Sequence, residues 1–457
     1  MRFAIRTTAA LLVLGTLVAP AAKAATTVTV DGSGKHQTID GFGFSEAFGR
    51  GEIMHGSQGL SALKQREILD LLLSRSTGAG MSILRLGIGS TAANSIQPTN
   101  PGGPNATPRY VWDRDDESQV WLAQQAKAYG VNRFYADAWS APGYMKTNGD
   151  EANGGSLCGL SGASCASGDW RRAYANYLVQ YAKFYAQEGI RITDIGFTNE
   201  PDYTTNYSSM RFTPAQAAEF VRVLGPIASG LKVACCDSFG WNQQSAYTKA
   251  IEADATARGI VATHTGHTYA SQITGPLPTT RHSWMSEWSP NGTTWNENWD
   301  DSSGYDGITI AKAVHTALTT GNVNGYVYWY GASTGATRGL IQMNGDGYRV
   351  SKRLWALANY SRFIRPDATR IDATSSGDLL MSAFRNADGT LAVVALNTGN
   401  AANSVSYKLK NVAASTATPY LTNTTGNTTA QSPVRVSGGT FTATVPARSL
   451  VTYRITP

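Results

Sequence analysis

Short β-rich runs alternate with segments of helical periodicity over most of the chain. The helical segments carry apolar residues at three- and four-residue spacing, and they cover residues 60–74, 121–130, 170–189, 213–230, 246–259, 308–321 and 352–363. The β-rich runs cover residues 41–45, 81–88, 132–139, 192–200, 231–238, 261–269, 282–288 and 325–331. Strands that alternate with helices in this way predict an α/β fold of the (β/α)8 TIM-barrel type.

Two further signals bear on that fold. Five of the helical segments end at a glycine that suits a C-terminal cap, namely Gly130, Gly189, Gly230, Gly259 and Gly321. A doubly wound open sheet is the structural alternative, but it would normally carry fewer strands and a glycine-rich phosphate turn. The chain contains neither of the usual glycine-rich phosphate motifs, which favours the barrel.

After Arg365-Pro366 the pattern changes to alternating β-runs separated by Gly, Asn, Asp and Thr. These runs cover residues 379–385, 390–397, 404–409, 416–421 and 440–455. They predict an attached C-terminal side β-sandwich, to which an early run at residues 26–30 adds a strand. The predicted organisation is a signal peptide at 1–24, an N-terminal strand at 25–40 that pairs with the side domain, a catalytic barrel at 41–365 and the side β-sandwich at 366–457.

The N-terminus carries the features of a secretory signal peptide. Arg2 and Arg6 precede an apolar run at residues 9–18, and small residues stand at both cleavage positions of Ala22-Lys23-Ala24. The run is too short to span a bilayer, so we expect a secreted, extracellular protein that does not enter a membrane.

Charge and composition narrow the choice of partners. Removal of residues 1–24 takes away three cations and lowers the formal net charge from +6 to +3. No Lys/Arg block of the nucleic-acid-binding kind is present, so we expect no nucleic-acid partner. We also expect the protein to be a monomer. The 11 Trp and 21 Tyr suit a carbohydrate binder, because flat rings stack on the C–H faces of sugars.

Four cysteines in an exported chain favour disulfides over zinc. Cys158 and Cys165 bracket a short flexible segment and are the candidate disulfide. Cys235 and Cys236 are adjacent in an apolar run. A vicinal disulfide is one possibility there, and two buried thiols are the expectation.

Two glutamates stand at the ends of predicted barrel strands, where the active sites of such barrels lie. Glu200 ends the fourth strand, directly after Asn199, and Glu287 ends the seventh. Two carboxyl groups across a barrel mouth are the machinery of glycoside hydrolysis, in which one protonates the departing oxygen and the other attacks the anomeric carbon. The pair is far more specific than either glutamate alone.

At these residues the chain resembles glycoside hydrolase family 30, a barrel family of clan A. The shared motifs, in order, are DGFGFS at 40–45, ILRL at 83–86, WSAPGYMK at 139–146, TNEPD at 198–202, SEW at 286–288, YWY at 328–330 and FIRP at 363–366. The resemblance implies a (β/α)8 barrel with a side β-domain completed by the N-terminal strand. It also implies a retaining mechanism, with Glu200 as general acid/base and Glu287 as nucleophile.

The same resemblance gives expectations for the neighbouring residues. Arg85 would keep Glu287 ionised by a charge-assisted hydrogen bond, and Asn199 would bond the sugar 2-hydroxyl. Tyr269 would donate to Glu287. Two further residues would form stacking walls of the pocket, namely Trp139 and Trp329.

Three segments look most like the xylanases of subfamily 7, namely SEAFGR at 45–50, CCDSFGW at 235–241 and WNENW at 295–299. The implied substrate is β-1,4-xylan, with glucuronoxylan as the expected form. In members of another subfamily, an arginine after the eighth strand binds a glucuronic-acid branch. This chain has residues 331–334 at that position, and its next arginine is Arg338. Arg50 is the candidate that would reach a uronate from another direction.

Other activities remain open. Within the family these are hydrolysis of β-1,6-glucan, β-1,6-galactan or glucosylceramide, and outside catalysis a secreted carbohydrate-binding protein. Internal and chain-end cleavage are equally open.

Three remaining signals carry less weight. A G-x-S-x-G match at 331–335 lacks the Asp and His that a serine hydrolase needs later in the chain. His264 and His267 have the spacing of a metal pair but sit on opposite faces of a strand, so we interpret them as barrel residues with local hydrogen bonds. The aspartates at 300, 301 and 306 lack EF-hand spacing. We therefore predict no metal and no cofactor.

Overall fold

The computed structural model describes residues 25–336 and 338–457. Within these ranges a closed barrel of eight parallel strands forms in sequence order, as predicted. The strands are Gly41–Ser45, Ile83–Ile88, Arg133–Ala138, Asp194–Gly196, Lys232–Ser238, Val261–His267, His282–Glu287 and Gly325–Trp329. Gly41–Ser45 pairs with both the second and the eighth strand, and this pairing closes the barrel.

The barrel is a packed core rather than a pore. Buried side chains from five of the eight strands form one cluster, namely Ile83, Tyr135, Ala234, Trp284 and Val327. In barrels of this type the functional groups collect at the carboxyl-terminal edge of the strands.

Helices cover the outside of the barrel. They are Arg50–Met54, Ala62–Leu73, Gln119–Ala128, Arg171–Gln187, Pro214–Ile227, Trp241–Ala253, Ala255–Ile260, Gly307–Thr319 and Lys352–Ser361, with a 3₁₀ turn at Gly143–Met145. None of the described helices is long and apolar enough to cross a membrane.

The predicted helix at 246–259 is wrong in its bounds, because two helices meet in this region. Asp254 separates them, and its side chain caps the second helix by accepting from the backbone N–H of Thr256 at 3.0 Å and of Ala257 at 2.9 Å. Gly259 therefore lies inside that helix rather than at its end. The predicted caps at Gly130, Gly189 and Gly230 do have positive φ.

The side domain is a β-sandwich around its own apolar core. Its strands are Thr26–Thr38, Thr369–Ala373, Leu379–Arg385, Leu391–Asn397, Asn403–Lys410, Thr416–Thr422, Thr429–Ala430, Val434–Arg435, Thr440–Val445 and Ser449–Thr456. The N-terminal strand lies between Thr369–Ala373 and Asn403–Lys410, so it does complete this domain. The strand Thr369–Ala373 was not predicted, and the predicted run 440–455 is two strands.

Polar contacts join the side domain to the barrel. Arg448 makes a bidentate ion pair with Asp300 at 2.5 and 2.6 Å, and the Trp299 indole donates to the Arg448 carbonyl at 2.6 Å. Asp306 caps the helix Gly307–Thr319. Asp301 accepts from the Asn298 side chain at 2.8 Å, so all three loop aspartates have structural partners. A small sheet of Ala332–Ser333, Ile341–Asn344 and Gly347–Val350 follows the eighth barrel strand.

Both cysteine pairs are disulfides. Cys158 and Cys165 are joined as predicted, with their Cα atoms 5.5 Å apart. Cys235 and Cys236 are also joined, so the expectation of two buried thiols is wrong. The peptide between these two residues is cis. The predicted signal peptide at 1–24 lies outside the described residues and stays a prediction.

Candidate active site

A cavity of about 400 Å³ opens at the carboxyl-terminal edge of the barrel. Glu200 and Glu287 both line it, and each is only 5% exposed. The cavity brings together all but one of the predicted site residues, since Arg85 lies buried beneath it. The lining residues are Phe48, Arg50, Trp139, Asn199, Glu200, Tyr203, Tyr207, Phe239, Tyr269, Glu287, Ser289, Asn291, Trp329, Tyr330 and Arg338.

The two glutamates approach each other closely. One carboxylate oxygen of Glu200, one of Glu287 and a ring nitrogen of His267 all lie within 4.8 Å of one another. Carboxyl groups about 5–5.5 Å apart suit direct attack by one of them on a bound sugar, whereas a separation of about 6.5–9.5 Å leaves room for an intervening water. A distance of no more than 4.8 Å between the nearest oxygens favours the first geometry.

Arg85 is fully buried and connects Glu287 to the barrel interior. Its Nη1 donates to Glu287, and its Nη2 donates to Asp137 and to Asn199, each at 2.7 Å. Burial opposes its charge, but Glu287, Asp237 and Asp137 together raise the pKa of the guanidinium well above its usual value. Arg85 is thus a permanent cation that stabilises the ionised form of Glu287.

Glu200 sits where the fourth strand has left the sheet. The strand ends at Gly196, and Glu200 has a positive φ of 48° while its N–H donates to the Asp237 carbonyl at 2.8 Å. Burial raises the pKa of the Glu200 carboxyl, nearby Glu287 adds to that, and the hydrogen bond from His267 opposes both. The result is a Glu200 carboxyl group that favours its protonated form, beside a Glu287 carboxylate that accepts hydrogen bonds from Arg85 and Tyr269.

His267 is the main site residue that the sequence did not reveal. Its Nδ1 lies 3.0 Å from a Glu200 oxygen and its Nε2 3.2 Å from an Asp237 oxygen. Burial alone would lower its pKa, but Glu287, Asp237 and Glu200 raise it to about 10. His267 is thus an imidazolium at neutral pH, whereas His264 does make the expected local contact, with Glu252 at 3.1 Å.

Asp237, at the end of the fifth strand, is a second missed residue. It is fully buried and its pKa lies well below the usual value, because Arg85 and His267 outweigh the effect of burial. Its carboxylate accepts from Tyr135, Ser286, Thr265, His267 and Arg85. This carboxylate therefore fixes the positions of the two cations, which in turn contact Glu200 and Glu287.

The aromatic residues form the predicted walls. Trp139 and Trp329 lie 5.7 Å apart between ring centroids, and the Arg85 guanidinium sits 4.6 Å from the Trp139 ring. The Tyr269 hydroxyl donates to Glu287 at 3.0 Å, which is the contact expected from the sequence. Phe48 packs edge-on against both tryptophans.

Two guanidinium groups lie at the rim of the cavity. Arg50 stacks over the Tyr330 ring at 4.6 Å and lies 3.4 Å from the Ser333 hydroxyl. Arg338, which is exposed, donates to Asn291 at 3.4 Å. Burial raises the pKa of the Glu46 carboxyl, which interacts with Arg50, well above its usual value, and the charge of Arg50 opposes that rise.

Glu200, His267 and Glu287 are close enough together to hold a metal ion. Their electrostatic surroundings disfavour one. Arg85 already donates to one oxygen of Glu287, and the His267 ring, with a pKa raised to about 10, would have to lose a proton before it could bind a metal. The arrangement suits proton transfer and nucleophilic attack on a carbon atom.

The charge of His267 predicts how stability depends on pH. A histidine with a folded pKa of about 10 and an unfolded pKa of about 6.5 contributes stability that is fully present below pH 6.5 and lost as pH rises towards 10. Urea unfolding at pH 6 and pH 9.5 should therefore show a fall in the free energy of unfolding. In His267→Gln that fall should be smaller by on the order of 2–4 kcal/mol.

His264→Gln is the matched control, because the His264 pKa of about 4 keeps that ring neutral in the folded protein over this range. Only its unfolded state titrates, near pH 6.5, so the control should show the fall of the natural protein, deepened by no more than about 1 kcal/mol. Parallel losses of stability in the natural protein and in His267→Gln would show that His267 is not charged in the folded state.

Two family profiles match the chain. One, described as O-Glycosyl hydrolase family 30, matches residues 25–298, and the other, the Glycosyl hydrolase family 30 beta sandwich domain, matches residues 367–453. An eight-stranded barrel with two facing carboxyl groups at its open edge and these matches define a glycoside hydrolase. The chain belongs to glycoside hydrolase family 30.

The chain is also similar to solved structures and to curated relatives. The fold superimposes on the catalytic domain of GH30 xylanase C from Talaromyces cellulolyticus with a TM-score of 0.89, at 43% identity, covering 94% of this chain and 100% of that one. Glucuronoxylanase XynC of Bacillus subtilis is 28% identical over 349 residues, 73% of this chain and 76% of that protein. Endo-1,6-beta-D-glucanase neg1 of Aspergillus fumigatus is 25% identical over 420 residues, 83% of each chain.

Proposed function

We propose that the protein is a secreted, monomeric retaining hydrolase of β-1,4-xylan, with Glu200 as general acid/base and Glu287 as nucleophile. The observation that carries the mechanism is the approach of the two carboxylates, whose nearest oxygens lie within 4.8 Å. At that separation the second carboxylate itself attacks the sugar, and configuration is retained over two displacements.

In the first displacement, Glu287 attacks the anomeric carbon while Glu200 gives its proton to the departing glycosidic oxygen. The bond to the leaving sugar breaks as the ester to Glu287 forms. Arg85 and the Tyr269 hydroxyl each donate to one oxygen of the attacking carboxylate and so fix its orientation. The His267 ring bonds one oxygen of Glu200, which leaves the other oxygen to carry the proton.

In the second displacement, Glu200 takes a proton from water, and that water attacks the anomeric carbon and releases Glu287. The change of role has an electrostatic cause. The negative charge of Glu287 raises the pKa of Glu200, and that charge disappears while Glu287 is esterified. The pKa of Glu200 then falls, so the same group becomes a base when the reaction needs one.

Xylan is supported by the xylanase C of Talaromyces cellulolyticus, at 43% identity, and by the glucuronoxylanase of Bacillus subtilis. A second candidate is β-1,6-glucan, because the Aspergillus fumigatus relative is named for that substrate. Glucuronic-acid decoration is supported by the two cations at the cavity rim, Arg50 and Arg338, since a uronate branch carries the opposite charge.

The substrate is tested by product analysis on a panel of polysaccharides. We expect oligosaccharides from glucuronoxylan, and slower release from arabinoxylan and undecorated xylan. Release from β-1,6-glucan, β-1,6-galactan or glucosylceramide with none from any xylan would replace xylan as the substrate. Tight binding of xylan without any new reducing ends would instead favour a non-catalytic carbohydrate-binding protein.

Arg50→Ala tests whether Arg50 binds a glucuronic-acid branch of the substrate. We expect kcat/KM to fall about ten-fold on glucuronoxylan and to stay within about two-fold of the natural value on undecorated xylan. The measurement is the initial rate of reducing-end release on both polymers. Arg338→Ala is the companion variant for the other rim cation. Equal losses of Arg50→Ala activity on both polymers would mean that Arg50 supports the cavity wall and does not read a uronate.

A further inference from the structure

One wall of the cavity is a stack of three aromatic rings that the mechanism above uses only at one end. Tyr203 stacks on Phe239 with centroids 4.4 Å apart and planes 16° apart, and Phe239 stacks on Tyr269 at 5.6 Å and 29°. We call Tyr203, Phe239 and Tyr269 the aromatic ladder. All three rings line the cavity.

Backbone hydrogen bonds hold the ladder to the strand ends. The Tyr203 N–H donates to the Glu200 carbonyl at 2.9 Å, and the Tyr269 N–H donates to the Phe239 carbonyl at 3.1 Å. The Phe239 N–H donates to the Asp202 carboxylate at 2.9 Å. The ladder is therefore a fixed surface whose position relative to Glu200 is set by the same turn that sets Glu200.

The two ends of the ladder face different surroundings. The Tyr269 end contacts Glu287, whereas the Tyr203 ring at the other end is 39% exposed. Large apolar rings are usually covered, and one left open at the mouth of a binding cavity offers a flat face to a ligand. Sugars have apolar C–H faces that fit such a ring.

The geometry of the reaction decides which sugar that is. Glu287 attacks the anomeric carbon from the face opposite the departing oxygen, and Glu200 stands beside that oxygen. The leaving sugar therefore lies on the Glu200 side. Tyr203 follows Glu200 by three residues, bonds its carbonyl and lines the same cavity, whereas Trp139 and Trp329 lie over Arg85, which contacts Glu287.

We propose that the exposed face of Tyr203, backed by Phe239, binds the first sugar ring on the leaving-group side of the cleaved bond. This inference rests on the proposed function and extends it. A platform beyond the scissile bond favours chains that continue past it. The same platform receives an acceptor sugar when the glycosyl-enzyme is attacked by a sugar hydroxyl instead of water.

The test follows the fate of the glycosyl-enzyme. A 4-nitrophenyl β-xylobioside donor forms the ester with Glu287, and xylobiose and methanol then compete for it. In either reaction an acceptor hydroxyl oxygen attacks the anomeric carbon, its proton passes to Glu200 and the ester breaks. The ratio of xylotetraose to methyl xylobioside formed measures how well a sugar binds on the leaving-group side, independently of how fast the donor reacts.

In Tyr203→Ala we expect that ratio to fall about ten-fold, because the stacking face is lost. Tyr203→Phe keeps the ring and should keep the ratio. Tyr348→Ala, which removes a half-buried tyrosine outside the cavity, is the control for general damage and should also keep it.

An unchanged ratio in Tyr203→Ala would overturn the proposal, and so would an equal fall in Tyr203→Phe, since the ring would then not be the binding element. Failure of the proposed function has a different signature. The natural protein would then release no nitrophenol from the donor, and no ratio would form at all.

Discussion

Replacing Glu287 with alanine is expected to lower kcat/KM by on the order of 10⁴-fold or more on every substrate that the enzyme accepts. The reason is that Glu200 is the only other carboxyl group among the described residues that line the cavity, and in the proposed mechanism it stands beside the leaving oxygen. Asp137 and Asp237 are fully buried against Arg85. Initial rates on xylan and on a dinitrophenyl β-xylobioside measure the loss.

Azide identifies the position that the alanine has opened. In Glu287→Ala, azide can enter from the face of the missing carboxylate and should give an α-glycosyl azide from the dinitrophenyl donor. Glu287→Gln, which fills the same space without a nucleophile, should give none. The assignment would be contradicted by a Glu287→Ala protein that has the unfolding temperature of the natural protein and keeps more than a hundredth of its activity. Glu287 would then not be the nucleophile.

Replacing Glu200 with alanine is expected to produce a loss that depends on the leaving group. On xylan, whose leaving hydroxyl needs a proton, kcat/KM should fall by about 10²–10⁴-fold. On the dinitrophenyl donor, whose leaving group is already a stable anion, the first displacement should be spared. The second displacement still lacks its base, so a burst of dinitrophenol followed by slow turnover is expected in rapid-mixing experiments.

Azide also tests the role of Glu200 as the base of the second displacement. It needs no base, so it should accelerate turnover of the dinitrophenyl donor by Glu200→Ala and give a β-glycosyl azide. Losses of equal size on xylan and on the dinitrophenyl donor would show that Glu200 does not act as the acid.

The barrel was predictable because parallel strands covered by helices leave a regular alternation of element types in the sequence. The end of the fourth strand was less so. The predicted run reaches residue 200, but the strand itself ends at Gly196. Glu200 adopts a positive φ, and its N–H donates to the fifth strand. Such a departure depends on contacts between strands, which local composition does not encode.

The site was predictable where its residues end strands. His267 could have been found by the same reasoning, because it is the last residue of the sixth strand, at the edge where the active sites of such barrels lie. Asp237 carried a similar signal at the end of the fifth strand. Arg338 and Tyr203 could not be assigned, because they come from loops whose paths are set by long-range packing.

The state of Cys235 and Cys236 was predicted wrongly for a related reason. Adjacent cysteines form a disulfide only where the intervening backbone brings both sulfur atoms to the same side, and nothing in the sequence specifies that backbone. The contrast with Cys158 and Cys165, whose seven-residue separation already allows a normal bridge, is one of local geometry.

The central claim is that Glu287 forms a covalent bond to the sugar, and mass mapping of the trapped enzyme tests it most directly. A 2-deoxy-2-fluoro xylobioside of dinitrophenol slows both displacements but keeps a good leaving group, so the ester accumulates. After digestion, the added mass of one fluorinated xylobiosyl unit should lie on the peptide that contains Glu287. The same mass on the peptide that contains Glu200, or no labelled peptide in an enzyme that turns over xylan, would contradict the account.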